Sequence, residues 1–128
     1  MTQNAESGAA AAKFGLETAA LLGGVLGATK LKKNSNEFEY KGQRVTIRTG
    51  RKSTTDFGVR YDMLDRVQLV IAGFEVAASE YELWAISPET FKEHMRDSPT
   101  GKGRTGLVRK RVFTAHGKFV ARVNIRKP

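Results

Sequence analysis

Glu17, Glu39 and Arg48 are the residues of this chain whose types could act together on a phosphodiester. Carboxylate oxygens hold a hard cation such as Mg²⁺, and a positive charge beside them stabilises the phosphate that water attacks. Each residue also has an ordinary reading. Glu17 stands four residues after Lys13, the spacing of a surface ion pair on a helix. Glu37 and Glu39 are two apart on a strand and share a face, which is equally the pattern of a solvated side opposite Phe38 and Tyr40. Thr46 and Arg48 share a face in the same way, so these groups can be paired across a hairpin with no further role.

The second chemical feature is the placement of charge. The chain has 22 basic and 13 acidic residues, a net charge of +9, and its last acidic residue is Asp97. Nine basic residues follow: Lys102, Arg104, Arg109, Lys110, Arg111, Lys118, Arg122, Arg126 and Lys127, so residues 1–97 balance to zero. A localised excess of this kind recruits a polyanion, above all nucleic acid, because each cation placed against a phosphate releases condensed counterions. Arg51 and Lys52, with Ser53, Thr54 and Thr55, form a second cluster of phosphate donors or else a polar turn. The loop TGKGRTG exposes backbone amides beside Lys102 and Arg104, but it lacks the P-loop pattern and reads as a basic loop against a nucleic-acid backbone.

Composition narrows the classes. With 128 residues and 40% hydrophobic content, the chain builds one domain over residues 9–128 behind a flexible polar stretch at residues 1–8. The absence of cysteine excludes disulfides, thiol catalysis and cysteine zinc sites, and it fits a cytoplasmic location. The apolar stretch Thr18–Thr29 is short for a membrane span and reads as buried helix, so no membrane partner is expected. His94 and His116 have no neighbours that complete a catalytic triad.

The elements that must position these groups begin with a helix from Ala9, with Phe14, Leu16, Ala20, Leu21, Leu22, Val25 and Leu26 as core candidates. Gly23, Gly24 and Gly27 weaken its second half, either for a close approach or because the helix ends early. NEFEYKGQRVTIRTG reads as a hairpin turning at Lys41-Gly42, RKSTTDFGV as a polar loop, and YDMLDR as a helical turn with Met63 and Leu64 inward. VQLVIAGF suits a strand buried on both faces, and YELWAIS a strand beside it. Ser87-Pro88-Glu89 caps a helix running to about Arg96. LVRKRVF and FVARVNI read as a basic C-terminal hairpin joined at His116-Gly117. Tyr81, Trp84 and Phe91 read as core. The expected class is therefore α/β (α+β), a mixed central β-sheet flanked by helices.

In its order of elements, from about Ala12 to Phe113, the chain resembles the PD-(D/E)xK superfamily of restriction-endonuclease-like proteins. In that family a helix bearing Glu precedes a hairpin whose first strand carries an acid and whose second ends in (D/E)-x-K. EFEYKGQRVTIRT is similar to that hairpin, with Glu39 at the first acid, Thr46 at the second and Arg48 at the lysine. The resemblance implies a restriction-endonuclease-like core, DNA ahead of RNA as partner, Mg²⁺ on Glu17 and Glu39, and a homodimer. Thr46 is neutral and Arg48 keeps its proton, so a Mg²⁺-dependent endonuclease with a degenerate site stands beside a descendant that only binds. Glu37, Glu17 or Asp62 are the carboxylates that could compensate. The DNA-contacting set is Arg51, Lys52, Lys102, Arg104, Arg109, Lys110, Arg111 and Arg122. Two other classes remain open: an architectural nucleic-acid binder, and a module that inhibits a nucleic-acid enzyme through its basic face.

Overall fold

The computed structural model describes residues 5–32, 35–99 and 104–125. Helix α1 spans Ala5–Leu26, earlier than expected, because Ala5 and Glu6 extend the alanine-rich run that follows with good helix formers. Its buried stripe is Thr18, Ala19, Leu22 and Gly23, whereas Leu21 and Val25 are 40% and 55% exposed. This departs from the expected core because the second half of the helix is apolar all round, so periodicity selects no face, and the smallest side chains meet the sheet. At Gly23 a Cβ would stand 2.6 Å from Phe38 Cε2, so glycine there admits an aromatic ring. Gly27, with φ 81°, ends the helix, and the Ala28 amide donates to the Gly23 carbonyl at 2.8 Å.

Strands β1 (Thr29–Lys30), β2 (Glu37–Tyr40) and β3 (Gln43–Gly50) follow. Lys41 and Gly42 have φ of 53° and 80°, the doubly left-handed turn that suits a two-residue hairpin. Next come β4 (Asp56–Arg60), helical turn α2 (Tyr61–Leu64), β5 (Leu69–Ala77) and β6 (Glu80–Ile86). Helix α3 (Pro88–His94) is capped as expected, the Ser87 hydroxyl accepting from the Thr90 amide at 3.0 Å. It stops before Arg96 because Arg96–Asp97 form strand β7. The chain closes with β8 (Thr105–Arg109), helix α4 (Lys110–His116) and β9 (Lys118–Asn124).

A six-stranded mixed sheet runs β1-β2-β3-β5-β6-β9, parallel at β3–β5 and antiparallel elsewhere. Ile71 faces one core with Ala19, Leu22, Phe38, Val45 and Ile47, under α1. Val70, Ala72 and Phe74 face the other, with Phe57, Val59, Phe91, Val108 and Phe113. That second face is covered by α2, α3, α4 and a small antiparallel sheet, β4-β8-β7. Thus β5 is buried on both sides, as its apolar run implies. No helix among the described residues is long and apolar enough to cross a membrane.

The expected basic C-terminal hairpin is corrected. Lys110–His116 is helical, β8 pairs with β4 in the small sheet, and β9 pairs with β6 at the edge of the large one. Adjacent Val112 and Phe113 are both buried in one core, which a strand would not allow because neighbouring side chains point to opposite faces. Gly117 releases the helix where space is least, since a Cβ there would lie 2.5 Å from both the Ala85 and Phe113 carbonyl oxygens. The loop RKSTTDFGV is likewise shorter than expected, its last residues belonging to β4. Trp84 is only half-buried; it meets Phe119 edge-on with ring centroids 5.5 Å apart.

Two glycines give opposite predictions under denaturant unfolding. Gly117→Ala must push backbone apart and should lose about 1–3 kcal/mol of stability. Gly24→Ala, in a helix with nothing within 4 Å of the added Cβ, should gain about 0.5–1 kcal/mol. Val70→Asp buries an unpaired charge in β5 and should abolish cooperative folding or lower stability by several kcal/mol.

Candidate functional site

The turn at Lys41-Gly42 sets the pairing of the hairpin: Tyr40 with Gln43, Glu39 with Arg44, Phe38 with Val45 and Glu37 with Thr46. Opposed residues share a face, so Glu37, Glu39, Arg44, Thr46 and Arg48 all project from one side. Phe38, Val45 and Ile47 project from the other side, toward α1. Glu17, exposed on α1, is therefore on the helix that packs against the opposite face from Glu39 and Arg48.

The buried carboxylate of this face is Glu37, only 1% exposed, while Glu39 is open to solvent. Arg66 donates to Glu37 at 3.3 and 3.5 Å, and the Arg44 guanidinium lies 3.4 Å away. The hydrogen bond to Glu37 raises the Arg66 pKa above its ordinary value. The sequence left Glu37 open as a solvated side chain, a compensating carboxylate or a partner in a pair across the hairpin; it carries a buried negative charge that two arginines compensate. The register counted back from the turn was the available signal for it, since it places Glu37, not Glu39, opposite Thr46.

Strand β2 begins at Glu37, and the Ile47 amide makes the last bond on this side, 3.0 Å to the Asn36 carbonyl. Beyond it the end of β3 has an open edge. A cavity of about 560 Å³ occupies this opening, lined in part by Arg48, Thr49, Gly50, Asn36, Arg51 and Arg60. No acidic residue lines it. The Arg48 side chain has no hydrogen bond or ion pair among the described residues, and burial draws its guanidinium below the ordinary pKa. Asn36 Oδ1 and Thr49 Oγ1 are both buried without a hydrogen-bond partner. Neither Glu17 nor Glu39 lines the cavity.

These residues do not fit Mg²⁺. The hard cation needs several unencumbered carboxylate oxygens. Here Glu37 is held by two guanidinium groups, Thr46 is neutral and Arg48 is cationic. No three Asp, Glu, His or Cys side chains come together among the described residues.

The basic residues divide by what they touch. Arg122 is held by Glu80 at 2.7 Å and Glu82 at 3.8 Å, which match its charge. Lys110 lays its ammonium 5.1 Å from the Phe74 ring centroid. Arg51 lies 4.2 Å from the Phe14 ring centroid at the cavity wall, beside exposed Lys52. Arg104, Arg109, Arg111 and Lys118 are exposed with no carboxylate partner among the described residues. Lys102 lies outside the described residues, as does the side chain of Lys13, the proposed partner of Glu17.

Arg109 and Arg111 line a second cleft of about 390 Å³ with His94, Arg96 and His116. The two imidazole rings stack with centroids 4.4 Å apart, and Arg96 is turned to Asp56 at 2.9 Å. The contact between the two histidines had no sequence signal because α4, unforeseen as a helix, brings His116 back onto the end of α3.

The Glu37 clamp predicts a graded loss of stability. Arg66→Ala leaves one guanidinium on a buried carboxylate and should lower unfolding free energy by about 1–3 kcal/mol. Arg66→Lys, which keeps the charge but not the forked donors, should recover part of it in the same urea titration.

The chain matches no protein-family model and no curated protein. Among solved structures it is similar to the Holliday junction resolvase Hjc of Archaeoglobus fulgidus, at 8% identity and a TM-score of 0.44, covering 83% of this chain and 89% of that one. At that identity the likeness concerns the path of the backbone and assigns no role to any side chain.

Proposed function

We propose that this protein binds nucleic acid through phosphate contacts made by its C-terminal third and does not itself cut the strand. The observation that carries the reading is the sorting of its cations. Arg44, Arg60, Arg66, Lys92, Arg96 and Arg122 each face a carboxylate. Arg104, Arg109, Arg111 and Lys118 face none among the described residues, and they lie in the segment that has no acidic residue. A charge matched within the fold has little to offer a phosphate, whereas an unmatched one releases counterions on binding. Arg109 and Arg111 in one cleft supply adjacent forked donors of the kind that hold phosphate oxygens. The hairpin's resemblance to restriction-endonuclease-like proteins favours DNA over RNA. The same resemblance carries the homodimer as a proposal, which sedimentation velocity of the protein alone decides.

DNA affinity measured across a salt series tests this. Each lost phosphate contact should flatten the log–log slope by about 0.9 for duplex DNA. Arg109→Ala with Arg111→Ala should therefore reduce the slope by about two such steps, Arg104→Ala by one, and Arg122→Ala by none. An unchanged slope in the Arg109, Arg111 double variant removes the cleft from the interface. Binding should persist in EDTA. Nicking of plasmid DNA with Mg²⁺ that stops with EDTA, and is lost in Glu39→Ala, would replace this reading with the endonuclease that uses Glu17 and Glu39.

A further inference from the structure

The cavity at the open end of β3 differs in kind from the exposed C-terminal cations. Its cationic group, Arg48, is partly buried and has no partner among the described residues. A guanidinium removed from water without a counter-charge is a destabilising arrangement, and proteins ordinarily pair it. Two more polar atoms in the same wall, Thr49 Oγ1 and Asn36 Oδ1, are buried and unsatisfied. An unpaired guanidinium at an opening with no acidic lining describes the ligand that would satisfy it: an anion with several acceptor oxygens.

We propose that this cavity seats a terminal phosphate group, either of a nucleotide or of a nucleic-acid end. Arg48 supplies its counter-charge, while Thr49, the next residue of β3, faces α1 beside Gly15. A phosphomonoester carries a charge of about −1.5 to −2 at neutral pH, more than the single charge of an internal phosphodiester, so it gains more from the partly buried guanidinium. Sugars on both sides also keep an internal phosphodiester from that group. The volume, about 560 Å³, lies within the range of small-ligand sites. Arg51, held against Phe14 at the wall, adds positive potential, and Thr54 steadies that loop by accepting from the Arg51 amide at 2.9 Å. The nucleic-acid form of the ligand rests on the binding reading above; the free-nucleotide form does not.

The experiment compares one oligonucleotide with a 5′-phosphate, a 3′-phosphate or hydroxyls at both ends, together with adenosine monophosphate and inorganic phosphate, by calorimetry on the whole chain. One of the phosphorylated oligonucleotides is expected to bind about tenfold more tightly than the hydroxyl form, equivalent to about 1.4 kcal/mol. Arg48→Gln should erase that difference. Arg109→Ala with Arg111→Ala should weaken all three oligonucleotides and leave their ratio in place. Binding of adenosine monophosphate by the wild-type chain, lost in Arg48→Gln, identifies the free nucleotide as a ligand. Equal affinity for phosphorylated and hydroxyl ends, with no binding of the monophosphate, overturns the cavity site and leaves the backbone-binding reading intact. Binding of the monophosphate or of inorganic phosphate alone, with no oligonucleotide bound, overturns the backbone reading and keeps the site. These wild-type arms decide the matter even if Arg48→Gln fails to fold.

Discussion

The parallel pairing of β3 with β5 is the constraint from which the rest of the architecture follows. Val45 to Gly50 align with Leu69 to Phe74 in register, and β5 is then flanked on its other side by β6. An interior strand of Val, Ile, Ala and Phe cannot leave either face in water, so one face needs a helix and the other needs the small sheet with α2, α3 and α4. The same pairing holds β3 in place beyond the start of β2. The open edge at Arg48 is therefore a product of two strand lengths and not of a flexible loop.

Charge is handled differently at the two ends of the chain. Before Asp97 the fold sets acids beside Arg44, Arg60, Arg66 and Arg96, although not beside Arg48 or Arg51, and the most demanding case, Glu37, receives two guanidinium groups because a carboxylate 1% exposed has no water to rely on. After Asp97 a carboxylate partner must come from an earlier segment, as Glu80 and Glu82 do for Arg122. Positions without such a neighbour stay unmatched and contribute a field that salt can screen.

Much of the local structure was legible in the sequence because its signals are short-range. Lys41-Gly42 marked its own turn, Ser87-Pro88 its own cap, and the apolar run of β5 its own burial. The failures were of another kind. Residues 107–113 carry both a β-branched composition and a helical spacing, and the choice between them is made by tertiary packing: Val112 and Phe113 must enter one core, and Gly117 must fit against Ala85. The small sheet joins β4 (Asp56–Arg60) to β8 (Thr105–Arg109), which are far apart in the chain, so no local pattern announces it. At the hairpin, Arg48 was named for its type and lines the cavity, which Glu39 does not, and the register from the turn places Glu37 opposite Thr46. Asn36 and Thr49 had no signal at all, because an unsatisfied buried oxygen is a property of the assembled cavity.

The chemistry of the hairpin face follows from two side chains. A threonine opposite Glu37 brings no second negative charge, and the oxygens of that carboxylate are occupied by the Arg66 and Arg44 guanidinium groups. An arginine two residues further on then places a permanent positive charge where the sheet edge opens. Divalent cations are repelled from such a place and phosphate oxygens are drawn to it, by the same Coulomb interaction with opposite sign. The turn, register and core face of the hairpin do not depend on what its other face carries, because Phe38, Val45 and Ile47 hold the strands from the α1 side and Glu37, Thr46 and Arg48 do not enter that packing.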